Sequence, residues 1–256
     1  MTASNPGERD DSATTKQAGS WGSRFLGRMS LRRKHSPTDR GAEPSSTDSG
    51  DPTGQSIDYI NWGLRLAAQE KTDRACEKFR CAVERAPEDP MAHYDLALAL
   101  QRLGRHTEAV EHYIMAAGLD PASVDVRVNL GAALIESADP VRAIHELEKA
   151  ARHAPDDHLA QFNLGCAYLA IGDGRSAVSA FRGAVRCDPQ DPQTRFNLAM
   201  ALRKAGCPDL AEIELREFIA LAGDDFPNHR VLAERLIAEE HEGDDDPQTR
   251  RPNEQP

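Results

Sequence analysis

Five side chains of similar chemistry return every 34 residues: Asn61, Asp95, Asn129, Asn163 and Asn197. Asparagine is a mediocre helix former, so its return at one position asks for a reason. A carboxamide offers both a donor and an acceptor. A row of them can hold the backbone of an extended peptide without reading its side chains. One residue earlier stand Tyr94, Phe162 and Phe196, with Ile60 and Val128 at the same position; three residues later come Leu64, Leu98, Ala132, Cys166 and Met200. If these share the face of the asparagines, the result is an apolar groove with polar rungs, suited to an extended or helical peptide. Arg102, Arg203 and Lys204 can add positive charge to a groove wall. A second role stays open: the asparagines bond to neighbouring groups and brace the chain, and the aromatic residues pack between helices.

No other constellation carries chemistry. Gly172-Asp173-Gly174 lacks the rest of a dinucleotide fingerprint. His145-Glu146 has no second histidine at metalloprotease spacing, and His106 and His112, or His153 and His158, are poorly spaced for one metal and read as surface histidines. Asp156-Asp157 and Asp224-Asp225 suit helix starts. The five cysteines, Cys76, Cys81, Cys166, Cys187 and Cys207, include no Cys-x-x-Cys and fit reduced thiols in a cytoplasmic protein. The expectation is therefore no catalytic residue, no metal, no cofactor and no enzyme.

The elements that must position the asparagines follow from the same period. Pro87, Pro121, Pro155 and Pro189 are 34 residues apart without insertion. In register with them recur Ala82, Ala116, Ala150 and Ala184; Phe79, Tyr113, Leu147 and Phe181; and Gly63, Ala97, Gly131 and Gly165. Apolar residues at three- and four-residue spacing give each helix one buried stripe. Small residues admit a close helix neighbour, and a large side chain fills the gap beside each. Gly104, Gly172 and Gly206 end first helices in the left-handed conformation that favours glycine. Glu70 and Ala138 replace that glycine, which predicts looser or differently closed turns. A fixed period of this kind is the signature of a solenoid.

The pattern resembles the tetratricopeptide repeat family over residues 56–222. The resemblance implies an all-α right-handed superhelical solenoid of five antiparallel helix pairs, 56–89, 90–123, 124–157, 158–191 and 192–222. It also implies first helices lining a concave groove that binds a segment of another protein. The asparagines are similar to the ladder in the repeat region of O-linked N-acetylglucosamine transferase, without any transferase domain. The carboxylate clamp of co-chaperones is not met, since Ile60, Leu64, Val128 and Ala132 stand where it needs lysine and asparagine. Residues 223–240, with Asp225, Pro227 and a Val231, Leu232, Leu236 and Ile237 stripe, are expected to form a helix that caps the stack.

Composition agrees. The net charge of −11 disfavours nucleic acid, and the low aromatic content of 5 % suits alanine- and leucine-rich helix pairs. Residues 1–55 read as a disordered tail with a basic island at 21–34, and 241–256 as a disordered acidic tail. The expected function is a non-catalytic, cytoplasmic interaction scaffold or assembly factor, with self-association open. The alternatives are a membrane-peripheral organiser that uses the basic island, and a regulatory subunit of a glycosyltransferase or other enzyme complex.

Overall fold

The computed structural model describes residues 52–244. The basic island at 21–34, and with it the membrane alternative, lies outside the described residues, as do residues 245–256. The described chain is all-α: α1 Pro52–Ala68, α2 Thr72–Arg85, α3 Pro90–Arg102, α4 His106–Leu119, α5 Val124–Glu136, α6 Pro140–His153, α7 His158–Ala170, α8 Gly174–Cys187, α9 Pro192–Lys204, α10 Pro208–Ala222 and α11 Pro227–Asp244. α1 begins inside the stretch expected as tail, and α11 runs past residue 240. No described helix is long and apolar enough to cross a membrane.

Two compact units divide the chain, Met1–Pro155 and Asp156–Pro256. In the first, α1 packs on α2, α3 on α4 and α5 on α6, while α2 and α4 also pack on the first helix of the following pair. In the second, α7 pairs with α8 and α9 with α10; α8 also packs on α9, and α11 packs on α10. Ala233 and Leu236 of α11 join the core built by Leu215, Phe218 and Ala222 of α10. Val231, expected in that stripe, is 66 % exposed, and Ala233 is buried instead.

The sequence starts these helices locally. Asp89 accepts from Met91 N, Asp139 from Arg142 N, Asp157 from Ala160 N, and Asp191 from Gln193 N and Thr194 N. These caps satisfy amides that have no partner within the helix. Pro90, Pro140, Pro192 and Pro208 stand in first turns, where a missing N–H costs nothing.

Within each pair the small-large match is steric. A Cβ on Gly165 would sit 2.7 Å from the Phe181 ring, and Cβ atoms on Gly63 and Gly131 would collide with Phe79 and Leu147. Directly before the small residue of each later pair, Leu96, Leu130, Leu164 and Leu198 are buried. Trp62, at the same position of the first pair, is only half-buried, and the Lys78 ammonium lies 3.8 Å from its ring centre.

The turns inside the pairs overturn one expectation. Gly104, Gly172 and Gly206 have φ of 73°, 83° and 79°, and Glu70 and Ala138 adopt φ of 60° as well. Their closure is the same: Lys71 N donates to Leu66 O at 3.0 Å and Asp139 N to Leu134 O at 2.8 Å, matching Arg105 N to Leu100 O at 2.9 Å. Helix-pair packing dictates the turn, and a side chain there is carried at a cost in backbone strain.

The aligned prolines have a second duty. Six residues after three of them, a side chain reaches back to the proline carbonyl: His93 Nε2 to Pro87 O at 2.9 Å, Arg127 Nη2 to Pro121 O at 2.7 Å, and Arg195 Nη2 to Pro189 O at 3.3 Å. The same side chains cross to the second helix 19 residues on. Arg127 Nη1 meets Glu146 at 2.6 Å, Arg195 Nη1 meets Glu214 at 2.8 Å, and His93 Nδ1 meets His112 Nδ1 at 3.0 Å. A neutral His93 that donates from Nε2 to a carbonyl must accept at Nδ1, so the proton between the rings belongs to His112. Burial, and then the neighbouring His93, hold the His112 pKa below its usual value.

Candidate peptide-binding groove

The first helices carry the recurring asparagines. In the first unit, Asn61 on α1 is half-buried, Asp95 on α3 is 4 % exposed, and Asn129 on α5 is half-buried. Asn129 Nδ2 donates to Asp125 O one turn back at 2.8 Å and to the Tyr94 hydroxyl at 3.1 Å. Two of the expected groove residues are thus joined across α3 and α5. Tyr94 in turn meets Tyr113 edge-on, with ring centres 6.0 Å apart.

A cleft of about 280 Å³ lies between α1, α2 and α3. Leu64, Leu98 and Ala99 form its apolar lining, and Asp95 and Arg102 bring opposite charges to it. Leu98 is 4 % exposed while Arg102 lies open to solvent, so the cleft has an apolar floor and a charged rim. This is where the first unit brings together expected site residues from separate positions of the repeat.

Behind it runs a polar chain that sequence reasoning missed. Tyr113 Oη donates to Gln101 Oε1 at 3.0 Å, and Gln101 Nε2 donates to Glu136 Oε2 at 2.9 Å. Burial holds the Tyr113 phenol neutral, with its pKa well above the usual value. The available signal was a break in register: Gln101 occupies the position held by Ala67, Ile135, Leu169 and Arg203. His106 borders the same network with its side chain 37 % exposed. Its Nδ1 approaches Glu136 at 3.0 Å, off the line of a hydrogen bond.

In the second unit the expected groove residues sit deeper. Phe162 is fully buried, edge-on to Phe181 with centres 5.7 Å apart. Phe196 is 5 % exposed and packs edge-on against Phe218 and His229. These two rings take the interhelical packing role left open above. Asn163 is 8 % and Asn197 2 % exposed, and Asn197 Nδ2 donates to Gln193 O at 2.9 Å within its own helix. Arg203 is half-buried. His158, expected at the surface, is half-buried, with Nε2 3.0 Å from the Thr194 hydroxyl.

Among the described residues no group of histidine, cysteine and carboxylate side chains has the arrangement of a metal site. The five cysteines are unpaired thiols. Burial raises the pKa of Cys76 and Cys187, and pushes the Cys166 thiol up to about 12, so these three are poor nucleophiles.

Several solved structures share this arrangement of helices. MamA (residues 41 to end) from Desulfovibrio magneticus RS-1 superposes with a TM-score of 0.63 at 22 % identity, over 69 % of this chain and 99 % of that one. YrrB, titled a TPR protein with an unusual peptide-binding site, gives 0.60 at 21 % identity over 73 % and 92 %. PilF of Pseudomonas aeruginosa gives 0.63 at 24 % identity over 76 % and 88 %. At these identities the likeness is one of fold. No curated protein matches the chain. The family model for the tetratricopeptide repeat matches residues 60–124, 128–192 and 162–226, more than half of the sequence, and the chain belongs to the tetratricopeptide repeat family.

Proposed function

We propose that this protein is a non-catalytic interaction scaffold whose first unit binds an extended segment of another protein along its first helices. The cleft of about 280 Å³ carries the reading. Its Leu64 and Leu98 floor would take an aliphatic side chain, and Arg102 at the rim would meet polar groups of the ligand, with the buried Asp95 beneath it. Asn61, and the acceptor oxygen of Asn129, would hold the ligand backbone on either side. YrrB, by its title a peptide binder of the same fold, supports the class of ligand. In the second unit Asn163, Asn197, Phe162, Phe196 and Arg203 would contribute chiefly by keeping the first helices in place. The wider ladder, with every rung in contact with ligand, is the less economical form, because Asn197 already satisfies its donor within α9.

The test is selection of a displayed random-peptide library on the full chain, followed by titration of the winning peptides. Peptides with aliphatic residues should dominate. The Asn61→Ala/Asn129→Ala double variant and Leu64→Gln should each weaken binding about tenfold, the worth of one or two lost hydrogen bonds or a buried side chain, with the helical signal retained. Unchanged affinity in both variants would remove the groove from consideration.

A further inference from the structure

A second cleft, of about 310 Å³, lies between α4, α5 and α6 of the first unit, away from the recurring asparagines. Its volume falls within the range of ligand sites, roughly 300–1,000 Å³. Leu130 and Leu134, each 2 % exposed, form the floor. Ile114 and Gly118 of α4 make one wall, and Arg142, His145 and Lys149 of α6 make the other.

The repeat register shows that these wall residues are not required by the fold. Ile114 occupies a position where the other pairs carry Arg80, Glu148, Arg182 and Arg216. It is the apolar exception, and it is 40 % exposed. Gly118 stands where others have Glu84, Arg152, Arg186 and Ala220, and a Cβ there would meet nothing within 4 Å. Neither a tight turn nor a close neighbour demands that glycine, and its effect is to leave the mouth of the cleft open. On the opposite wall, Arg142, His145 and Lys149 fall at i, i+3 and i+7, one face of a helix. Glu108, Glu111 and Met115 hold those positions in the preceding pair. Two adjacent repeats have thus changed together: one has exchanged charge for an apolar wall on α4, and the next has acquired a basic wall on α6.

The charges are unbalanced. Arg127, Arg142 and Lys149 face the cleft with Glu146 as the only carboxylate lining it. Glu146 is held at its centre by Arg127 at 2.6 Å, Lys149 at 2.9 Å and His145 at 3.1 Å. Burial pushes its carboxyl up, but Lys149, His145 and Arg127 together keep it below the usual carboxylate range. It therefore stays an anion and neutralises one cation. Arg142 is 58 % exposed and has only a 3.4 Å contact to Asp139 in its own first turn. A local excess of positive charge over an apolar floor, on a chain of net charge −11, calls for a ligand that is both acidic and apolar.

We infer that this cleft is a second docking site, for an acidic segment of a partner protein that carries an aliphatic residue beside its carboxylates. The aliphatic side chain enters between Ile114 and the Leu130 and Leu134 floor. The carboxylates meet Arg142 and Lys149 at the rim. A free anion would use only the basic wall, whereas a polypeptide uses both.

Fluorescence anisotropy of the full chain with a labelled peptide, one leucine flanked on each side by two glutamates, tests this. Replacing the glutamates by glutamine should weaken binding at least tenfold, and rising salt should weaken the acidic peptide alone. Arg142→Glu and Ile114→Glu should each cost about tenfold, in the range of a lost charge contact or apolar anchor. Both introduce what another repeat already carries, Glu108 and Glu148, so circular dichroism should be unchanged. Asn61→Ala/Asn129→Ala should leave this peptide's affinity alone. Equal binding of the glutamine peptide, undiminished binding by both variants, or no binding of the acidic peptide overturns the inference. Removal of residues 245–256 should leave the affinity as it is. A tenfold rise would assign the cleft to the chain's own C-terminal segment and overturn the partner.

Discussion

Ala138→Gly should stabilise the protein, although it removes a side chain and loosens the unfolded chain. Ala138 sits at φ 60°, in the turn between α5 and α6. A non-glycine residue in the left-handed region costs about 1–2 kcal/mol. Glycine returns that strain but adds unfolded-state entropy worth about 0.4–1 kcal/mol. The net gain is about 0.5–1 kcal/mol, and Glu70→Gly at the same φ should behave alike. The mirror experiment is Gly104→Ala. Gly104 has φ 73°, and a Cβ there meets nothing within 4 Å, so any loss is backbone strain rather than collision. It should cost about what Ala138→Gly gains. Chemical denaturation read by circular dichroism gives both, with the transition attributed to the first unit by a Trp62 fluorescence probe. Because the chain has two units, the midpoint of that probe is the quantity to compare, not a global two-state fit. If Ala138→Gly lowers the midpoint, or Gly104→Ala leaves it unmoved, helix packing does not impose this turn and the account of the pair geometry fails.

Gly165→Ala puts a methyl group 2.7 Å from the Phe181 ring and should destabilise by about 1–3 kcal/mol, seen as an earlier denaturation midpoint. The His112 pKa is depressed on folding, so its contribution is present above the ordinary value of 6.5 and is lost as pH falls through the lower folded pKa. Denaturation midpoints should fall between about pH 7 and pH 5 in the wild type and fall less in His112→Gln, whose amide can still donate to His93. Cys166, with its thiol at about 12, should be alkylated slowly in the native chain and at an ordinary rate in denaturant, as followed by peptide mass spectrometry.

The helices, their pairing and the small-large contacts were legible because they rest on short-range rules that repeat. Glycine against Phe79, Leu147 or Phe181, and aspartate before a helix, recur wherever the geometry recurs. The turns at Glu70 and Ala138 were misread because residue type was weighed and packing was not. The turn is fixed by two helices that already fit, and a strained residue is tolerated there. The back-reach from His93, Arg127 and Arg195 to a proline carbonyl was invisible for another reason. Imidazole and guanidinium share no propensity, and only the fold shows that they donate to the same atom.

Asparagine returns at a position that helix propensity disfavours, as a ligand-binding ladder would require. Yet Asn129 and Asn197 donate to carbonyls one turn back in their own helices, and that local bond explains part of the recurrence without a ligand. Structural duties are periodic because every pair must meet them, whereas a ligand meets particular pairs. The informative positions are then those where the register lapses at no structural cost: Gln101 behind the first cleft, and Ile114, Gly118 and Arg142 around the second. By this reasoning, restoring the register at Ile114 and Arg142 should preserve the fold and abolish the second site. Replacing a buried asparagine such as Asn197 should do the reverse, lowering stability before it touches binding.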